Sequence, residues 1–275
     1  MPEGDGDDAG LVEALAEYDV VARWAPWGSP VGPDETVVLR ATWDYQDHRE
    51  RFLDWCASLP KLINPFPVIR SNTDKRYLAR LAATGLPVIP TLVHEPGGQL
   101  RDAGDDFVIK PAVGAGSRGA GRFTSSQRAE AVSHLEKLHA AGFSALVQPY
   151  QQSVDRHGET SLVFFRGAYS HAFTKGPMLT GGVADTQGAL YLPESLAEAE
   201  PDAEMRAVAL ACLEGAAADA GVAVHDLVYG RVDLVRGESG PLLLELELTE
   251  PGLGFPYVTP GPLRRFAHAI SSACS

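Results

Sequence analysis

Residues 107–121, Phe-Val-Ile-Lys-Pro-Ala-Val-Gly-Ala-Gly-Ser-Arg-Gly-Ala-Gly, constrain the fold more than any other stretch. An apolar strand ends on Lys110, and four glycines (Gly114, Gly116, Gly119 and Gly121) then fall within eight residues. Arg122-Phe123-Thr124 reads as a returning strand, so the loop joins strand to strand and opens no helix. Glycine lets backbone N–H groups approach an anion without a Cβ in the way. A lysine at the mouth of such a loop adds a positive charge, and the guest this favours is a polyphosphate. A plain hairpin turn is the alternative that the loop alone leaves open.

Two further strands lie far downstream, Arg231 to Val235 and Leu242 to Leu248, joined by the polar turn Gly237-Glu238-Ser239-Gly240. Alternate strand residues share a face, so Glu245 and Glu247 point one way and the leucines between them point into a core. A hairpin of this length brings Asp233 beside them. Three carboxylates on one face repel each other unless a cation neutralises them. Hard oxygen donors suit magnesium, which takes one or two carboxylates plus substrate phosphates. A solvated strand face is the alternative, and it would more naturally mix lysine with glutamate.

A phosphate cradle and a magnesium face together are equipment for ATP. No P-loop tripeptide opens a helix, and the kinase histidine-arginine-aspartate triplet is absent. The net charge of −13 argues against a nucleic-acid surface. No apolar run approaches the roughly 18 residues that span a bilayer. Three cysteines without metal spacing (Cys56, Cys212 and Cys274) and an acidic N-terminus read as a cytoplasmic protein with reduced thiols.

Several segments, in order, resemble the ATP-grasp ligases of the glutathione-synthetase-like group. They are Leu39 to Tyr45, Asn64 to Lys75, the glycine loop, Val147 to Tyr150, Gly158 to Ser161, and Glu245 to Pro251. The chain is especially similar to the branch containing the D-cycloserine-forming (O-ureido-D-serine) cyclo-ligase of antibiotic biosynthesis. The resemblance implies an ATP-dependent carboxylate–amine ligase that activates a small amino-acid-like carboxylate as an acyl phosphate and forms an amide or cyclic amide. An ATP-binding module or a small-molecule kinase is the rival. The implied fold class is α/β, in its α+β ATP-grasp form: a small N-terminal α/β lobe (residues 1–70) and two α+β lobes (71–147 and 148–275) that clasp ATP.

The same resemblance assigns roles. Lys75 and Lys110 hold ATP phosphates, and Gly114, Gly116, Ser117 and Gly119 belong to a mobile lid. Gln148, Pro149 and Tyr150 form the adenine hinge, with Glu159 near the ribose. Asp233, Glu245 and Glu247 hold magnesium, with manganese as an alternative ion. Lys175 points at the transferring phosphoryl, and Arg231 stabilises the tetrahedral intermediate. Arg40 and Asp44, at the tip of the first lobe, are candidates for the acceptor site, with a simple ion pair between them as the other reading. Thr249, Glu250 and Gly252 lie on a turn whose backbone amides would hold an acceptor carboxylate. The expected partners are a small carboxylate and an amine, with no nucleic acid and no membrane, and a homodimer is left open. The loop Gly176 to Gln187 departs from the group's pattern because it contains no arginine.

Locally, helices are expected over 11–16, 49–59, 75–83, 126–141, 202–220 and 263–272, and strands over 20–24, 36–40 and 88–93. Ser71-Asn72-Thr73-Asp74 supplies N-cap chemistry for the helix that starts at Lys75. His171 reads as a sheet residue rather than a base.

Overall fold

The computed structural model describes residues 4–101, 104–177, 179, 182–183 and 195–274. Its strands are β1 (Val37–Val38), β2 (Leu62–Ile63), β3 (Leu92–His94), β4 (Asp106–Pro111), β5 (Gly121–Thr124), β6 (Ala145–Pro149), β7 (Glu159–Phe165), β8 (Ala168–Lys175), β9 (Gly182–Val183), β10 (Leu196–Glu198), β11 (Gly230–Gly237) and β12 (Gly240–Glu247). The α-helices are α1 (Leu11–Ala16), α2 (Arg49–Ser58), α3 (Phe66–Asn72), α4 (Tyr77–Ala83), α5 (Arg128–Ala140), α6 (Val154–His157), α7 (Ala203–Asp219) and α8 (Pro262–Cys274). Among the described residues, no helix is long and apolar enough to cross a membrane.

Three sheets organise these elements: the parallel pair β1-β2, a central antiparallel sheet β3-β6-β4-β5-β9, and a larger antiparallel sheet β10-β8-β7-β11-β12. Strand alternation sorts the larger sheet's side chains. Leu162, Phe164 and Val232 pack with Met205, Ala209 and Leu213 of α7, and with Tyr77, Leu78 and Leu81 of α4. Val163, Phe165 and Phe173 face the other way, onto Phe266 and Ile270 of α8 and Leu11 and Leu15 of α1. The central sheet buries Phe107, Ile109 and Val147 under Leu135 and Leu138 of α5. Its opposite face carries Val108, Lys110 and Gln148 into the cleft between the two large sheets.

Some local expectations fail for identifiable reasons. Residues 20–24 form no strand. Val20, Ala22 and Trp24 do pack on the α1–α8 core, so the period of two is present, but no neighbouring chain completes a ladder. Ser71 and Asn72 end α3 instead of capping the next helix, and α4 begins only at Tyr77. Asp74 still accepts the Arg76 N–H at 3.1 Å. Lys75 therefore sits in the tight connection between two helices, and its own N–H donates to Ala112 O at 2.8 Å. Of residues 88–93, only 92 and 93 are in β3; Pro87 and Pro90 lack the donors a strand needs. Val88 instead bridges Leu243, with Ile89 N–H donating to Leu243 O at 3.0 Å.

Candidate active site

The expected hairpin forms. Arg231 pairs with Glu247 and Asp233 with Glu245 across β11 and β12, and the register shifts between Asp233 and Leu234. A β-bulge places an extra residue on one strand and re-aims its side chain. Leu244 is that residue. Leu243 and Leu246 enter the core as expected, but Leu244 lines the cleft beside Glu245. Leu246, between the two acids, enters the core as expected, and the bulge is what turns Leu244, just before Glu245, into the cleft.

The acids meet the cations the sequence singled out. Lys75 Nζ lies 3.0 Å and Lys110 Nζ 3.8 Å from the Glu245 carboxylate. Lys75 also donates to Gly114 O, joining the glycine loop to the hairpin. Lys175 Nζ donates to Asp233 Oδ2 at 2.7 Å and lies 3.1 Å from Glu159. Arg231 forks onto both Asp233 oxygens at 2.9 Å, donates to Glu247 Oε1, and donates to Gly252 O at 2.8 Å. Residues from four separate stretches of chain thus form one charged face. The cleft continues into an apolar recess walled by Ile89, Val108, Val154, Val235 and Leu244, next to Gln148, Pro149 and Tyr150.

Protonation follows from this arrangement. Burial pushes Asp233 up, but the charges of Arg231 and Lys175 outweigh it and hold the carboxyl below its ordinary range. Burial likewise raises Glu245, and Lys75 and Lys110 bring it below the usual value. Glu247 goes the other way, to about 7: burial dominates, Arg231 offsets part of it, and the neighbouring Asp233 and Glu245 charges add to the rise. Burial also depresses Lys110, which Glu245 only partly restores.

Among the described residues, no three His, Cys, Asp or Glu side chains converge as a ready-made metal cage. Asp233 is occupied by Arg231 and Lys175. The donor set nevertheless suits magnesium, which needs only one or two carboxylates when phosphates complete its shell.

Nine of the ten expected nucleotide residues line the cleft: Lys75, Lys110, Gly114, Gly116, Ser117, Gln148, Pro149, Tyr150 and Glu159. Gly119 does not. It is turned back toward Pro111 and Leu138, and its carbonyl takes the His134 Nε2 hydrogen bond at 3.0 Å. Lys175, Glu245 and Glu247 also line the cleft.

The acceptor side differs more. Arg40 and Asp44 form no ion pair. Arg40 is buried at 6% exposure, bonded to Asp8 at 2.8 Å and to Pro251 O at 2.7 Å. Asp44 is exposed and accepts from Trp27 Nε1 at 2.8 Å. The amide of Leu253, inside the turn expected to hold an acceptor carboxylate, donates to Asp7, and so does the amide of Phe255 at 2.9 Å. Thr249 is pinned by Asn72 at 3.2 Å and by Tyr229 at 2.8 Å. Glu250 is different. It is 8% exposed, its Oε2 has no hydrogen-bond partner among the described residues, and burial followed by the Glu247 charge pushes it up to about 8. His171 Nε2 donates to Leu253 O at 2.7 Å and its Nδ1 lies 2.9 Å from Ser170 Oγ, as expected of a packed histidine. Most of the arginine-free loop 176–187 lies outside the described residues.

Sequence reasoning missed the contacts between the first lobe and the glycine loop. Gln46 Oε1 accepts the Ala115 N–H at 3.0 Å, and Arg118 forks onto Asp47, with one arm at 3.0 Å. These are ordinary polar residues, and only their juxtaposition across the fold marks them.

The family model for the D-cycloserine synthetase N-terminal domain matches residues 1–64. A cycloserine biosynthesis protein of Streptomyces lavendulae is 39% identical over 286 residues, spanning 97% of this chain and 93% of that protein. A crystal structure of D-cycloserine synthetase superposes with a TM-score of 0.86 at 38% identity, covering 98% of this chain and 95% of that one. D-Alanine–D-alanine ligase from Bacillus anthracis, solved with ATP, shares the fold alone: TM-score 0.57 at 15% identity, over 86% of this chain and 74% of that one. The chain belongs to the D-cycloserine synthetase family of ATP-grasp ligases.

Proposed function

We propose that the cleft binds ATP with magnesium and that the chain closes D-cycloserine, a cyclic amide, from an amino-acid-like carboxylate precursor. The observation that carries this reading is the meeting of Lys75 and Lys110 with the Glu245 carboxylate in one cleft. When bound, ATP supplies the γ-phosphoryl that converts a carboxylate into an acyl phosphate, and magnesium neutralises the phosphate oxygens. In this reading Lys75 and Lys110 grip phosphates, and residues 114–117 cover them. The apolar recess beside Gln148, Pro149 and Tyr150 takes the base, and Glu159 lies toward the ribose. Glu245, Glu247 and Asp233 are the carboxylates that would hold the metal, and manganese offers the same oxygens a similar hard partner.

Lys175 stands where it can neutralise the moving phosphoryl group. In this reading Arg231, held by Asp233 and Glu247, would stabilise the charge that develops when nitrogen attacks the activated carbon. Its carbonyl contact at Gly252 ties that guanidinium to the acceptor turn. Glu250 is the acceptor-side residue with capacity to spare, whereas Arg40, Asp44 and Thr249 position their surroundings. The lobes 1–70, 71–147 and 148–275 are the proposed units of the fold, with the central sheet and α5 closing on the other two, in a cytoplasmic enzyme.

The test is ADP release with magnesium, ATP and O-ureido-D-serine, with product mass read in parallel. D-Cycloserine formed in step with ADP supports ligation. ADP with a phosphorylated small molecule as the end product indicates a kinase, and nucleotide binding without turnover indicates a binding module.

A further inference from the structure

We propose that Glu250 and Thr42 accept hydrogen bonds from a protonated amino group of the substrate, while Gln46 donates to one of its oxygens. The chain would thereby select amino acids over their amine-free analogues. This inference rests on the ligase reading above and adds the group that is recognised.

Among the described residues, three buried polar atoms in this region have no hydrogen-bond partner: Glu250 Oε2, Thr42 Oγ1 and Gln46 Nε2. All three residues are less than 9% exposed. Leaving such atoms unpaired is costly, and native structures tolerate it where a ligand completes them. They come from two segments that touch, since Trp43 Nε1 donates to Glu250 O at 3.3 Å. The surrounding turn is already fixed: Thr249 bonds to Asn72 and Tyr229, Gly252 to Arg231, and Pro251 to Arg40.

Two cations lie near enough to act on Glu250 electrostatically, yet both are committed elsewhere. Arg40 serves Asp8 and the Pro251 carbonyl, and Lys75 serves Glu245 and the Gly114 carbonyl. Glu247 and Glu245 add negative potential on the cleft side. A carboxyl group and a hydroxyl offer acceptors, and the group best able to meet several acceptors in a negative environment is an ammonium with three N–H donors. Gln46 Nε2 is a donor and cannot serve the same atom, so it faces an oxygen. The other end of that amide accepts from Ala115 in the glycine loop, which places substrate recognition one side chain away from the lid.

The experiment is calorimetric titration of wild type, Glu250→Gln and Thr42→Val, each saturated with magnesium and ADP. The probes are D-cycloserine and isoxazolidin-3-one, the same ring without its amine. A bound ammonium favours the ionised form of Glu250, and loss of one partner of such a desolvated charge pair weakens binding by about 30-fold or more. Glu250→Gln is expected to weaken D-cycloserine to that extent while changing the amine-free ring by about threefold or less. Thr42→Val, which replaces an unpaired hydroxyl by a methyl of the same shape, is expected to keep the fold and show the same selective loss in smaller measure. Equal effects on both rings, no effect on either, or a nucleotide-loaded wild type that binds neither ring would overturn the inference and leave the nucleotide site standing. Wild type that fails to take up magnesium and ADP would remove the ligase reading itself, and the inference with it.

Discussion

Glu250 links protonation to stability. Its carboxyl titrates at about 8 in the folded chain because burial, then the Glu247 charge, penalise its ionised form; the ordinary glutamate value is 4.5. Between those values the folded chain keeps a proton that the unfolded chain releases. This contribution to stability is fully present below the ordinary value and is lost as pH rises through the folded one. Thermal unfolding of the nucleotide-free protein from about pH 5 to about pH 8 should show stability falling with pH in wild type and a flatter profile in Glu250→Gln. Identical slopes would mean that Glu250 ionises normally. How much of the site the sequence reveals depends on the reach of each interaction. Lys110, Glu245 and Glu247 are legible because a two-residue strand period and an adjoining glycine loop mark them locally. Gln46 reaches an amide 69 residues away, and Asp7 an amide 246 residues away, so neither leaves a local signature. The partners of Arg40 are hidden for the same reason: Asp7 and Asp8, which replace the Asp44 ion pair, lie more than 30 residues before it.

Short connections decide where the charged strands end. Gly158 has φ +65°, and a Cβ built there would lie 2.2 Å from Lys175 O, so the turn before β7 is closed against the last residue of β8. Gly158→Ala adds both a strained conformation and a backbone clash, and a loss of about 2–3 kcal/mol is expected, read as a lower denaturant midpoint. Because the displaced neighbour is Lys175, turnover should fall with it. Hairpin β11–β12 was readable down to its turn. The bulge that turns Leu244 into the cleft was not, because a bulge satisfies the same alternating pattern to either side of itself. The glycine loop shows a different balance of forces. Arg118 and Asp47 are each about 40% exposed, and such a pair contributes up to about 1 kcal/mol. Asp47→Ala is therefore expected to leave the thermal midpoint nearly unchanged. It also frees residues 113–120 from the first lobe, which limited proteolysis should report as faster cleavage within that loop. Unchanged cleavage would show that Gln46 and Lys75 suffice to hold it.

The three sheets are not equally bound to one another. Asn64, fully buried, donates from Nδ2 to Tyr229 O at 2.8 Å and Leu248 O at 2.9 Å, and accepts the Val228 N–H at 2.8 Å. Tyr229 returns its hydroxyl to Leu39 O and Thr249 O, and Arg40 ties Asp8 to Pro251. The first lobe is thus joined to the larger sheet by buried polar bonds as well as by the α1–α8 core. The central sheet keeps its own core under α5. It meets the rest through polar contacts that include those of Lys75, Lys110, Gln46, Arg118 and Arg122. Asn64→Ala leaves three buried backbone groups unpaired, each costing about 1–3 kcal/mol, so a loss of roughly 3 kcal/mol or more is expected. Native-state hydrogen exchange can locate that loss. Amides of β7, β11 and α8 should exchange faster in the variant, while those of β4, β6 and α5 keep wild-type protection. Adding magnesium and ADP should raise protection in both groups together, because a ligand seated between the central and larger sheets stabilises only the state in which both are formed. Uniform loss of protection in Asn64→Ala would instead mean that the chain unfolds as one unit, and that the cleft closes without a lobe free to move.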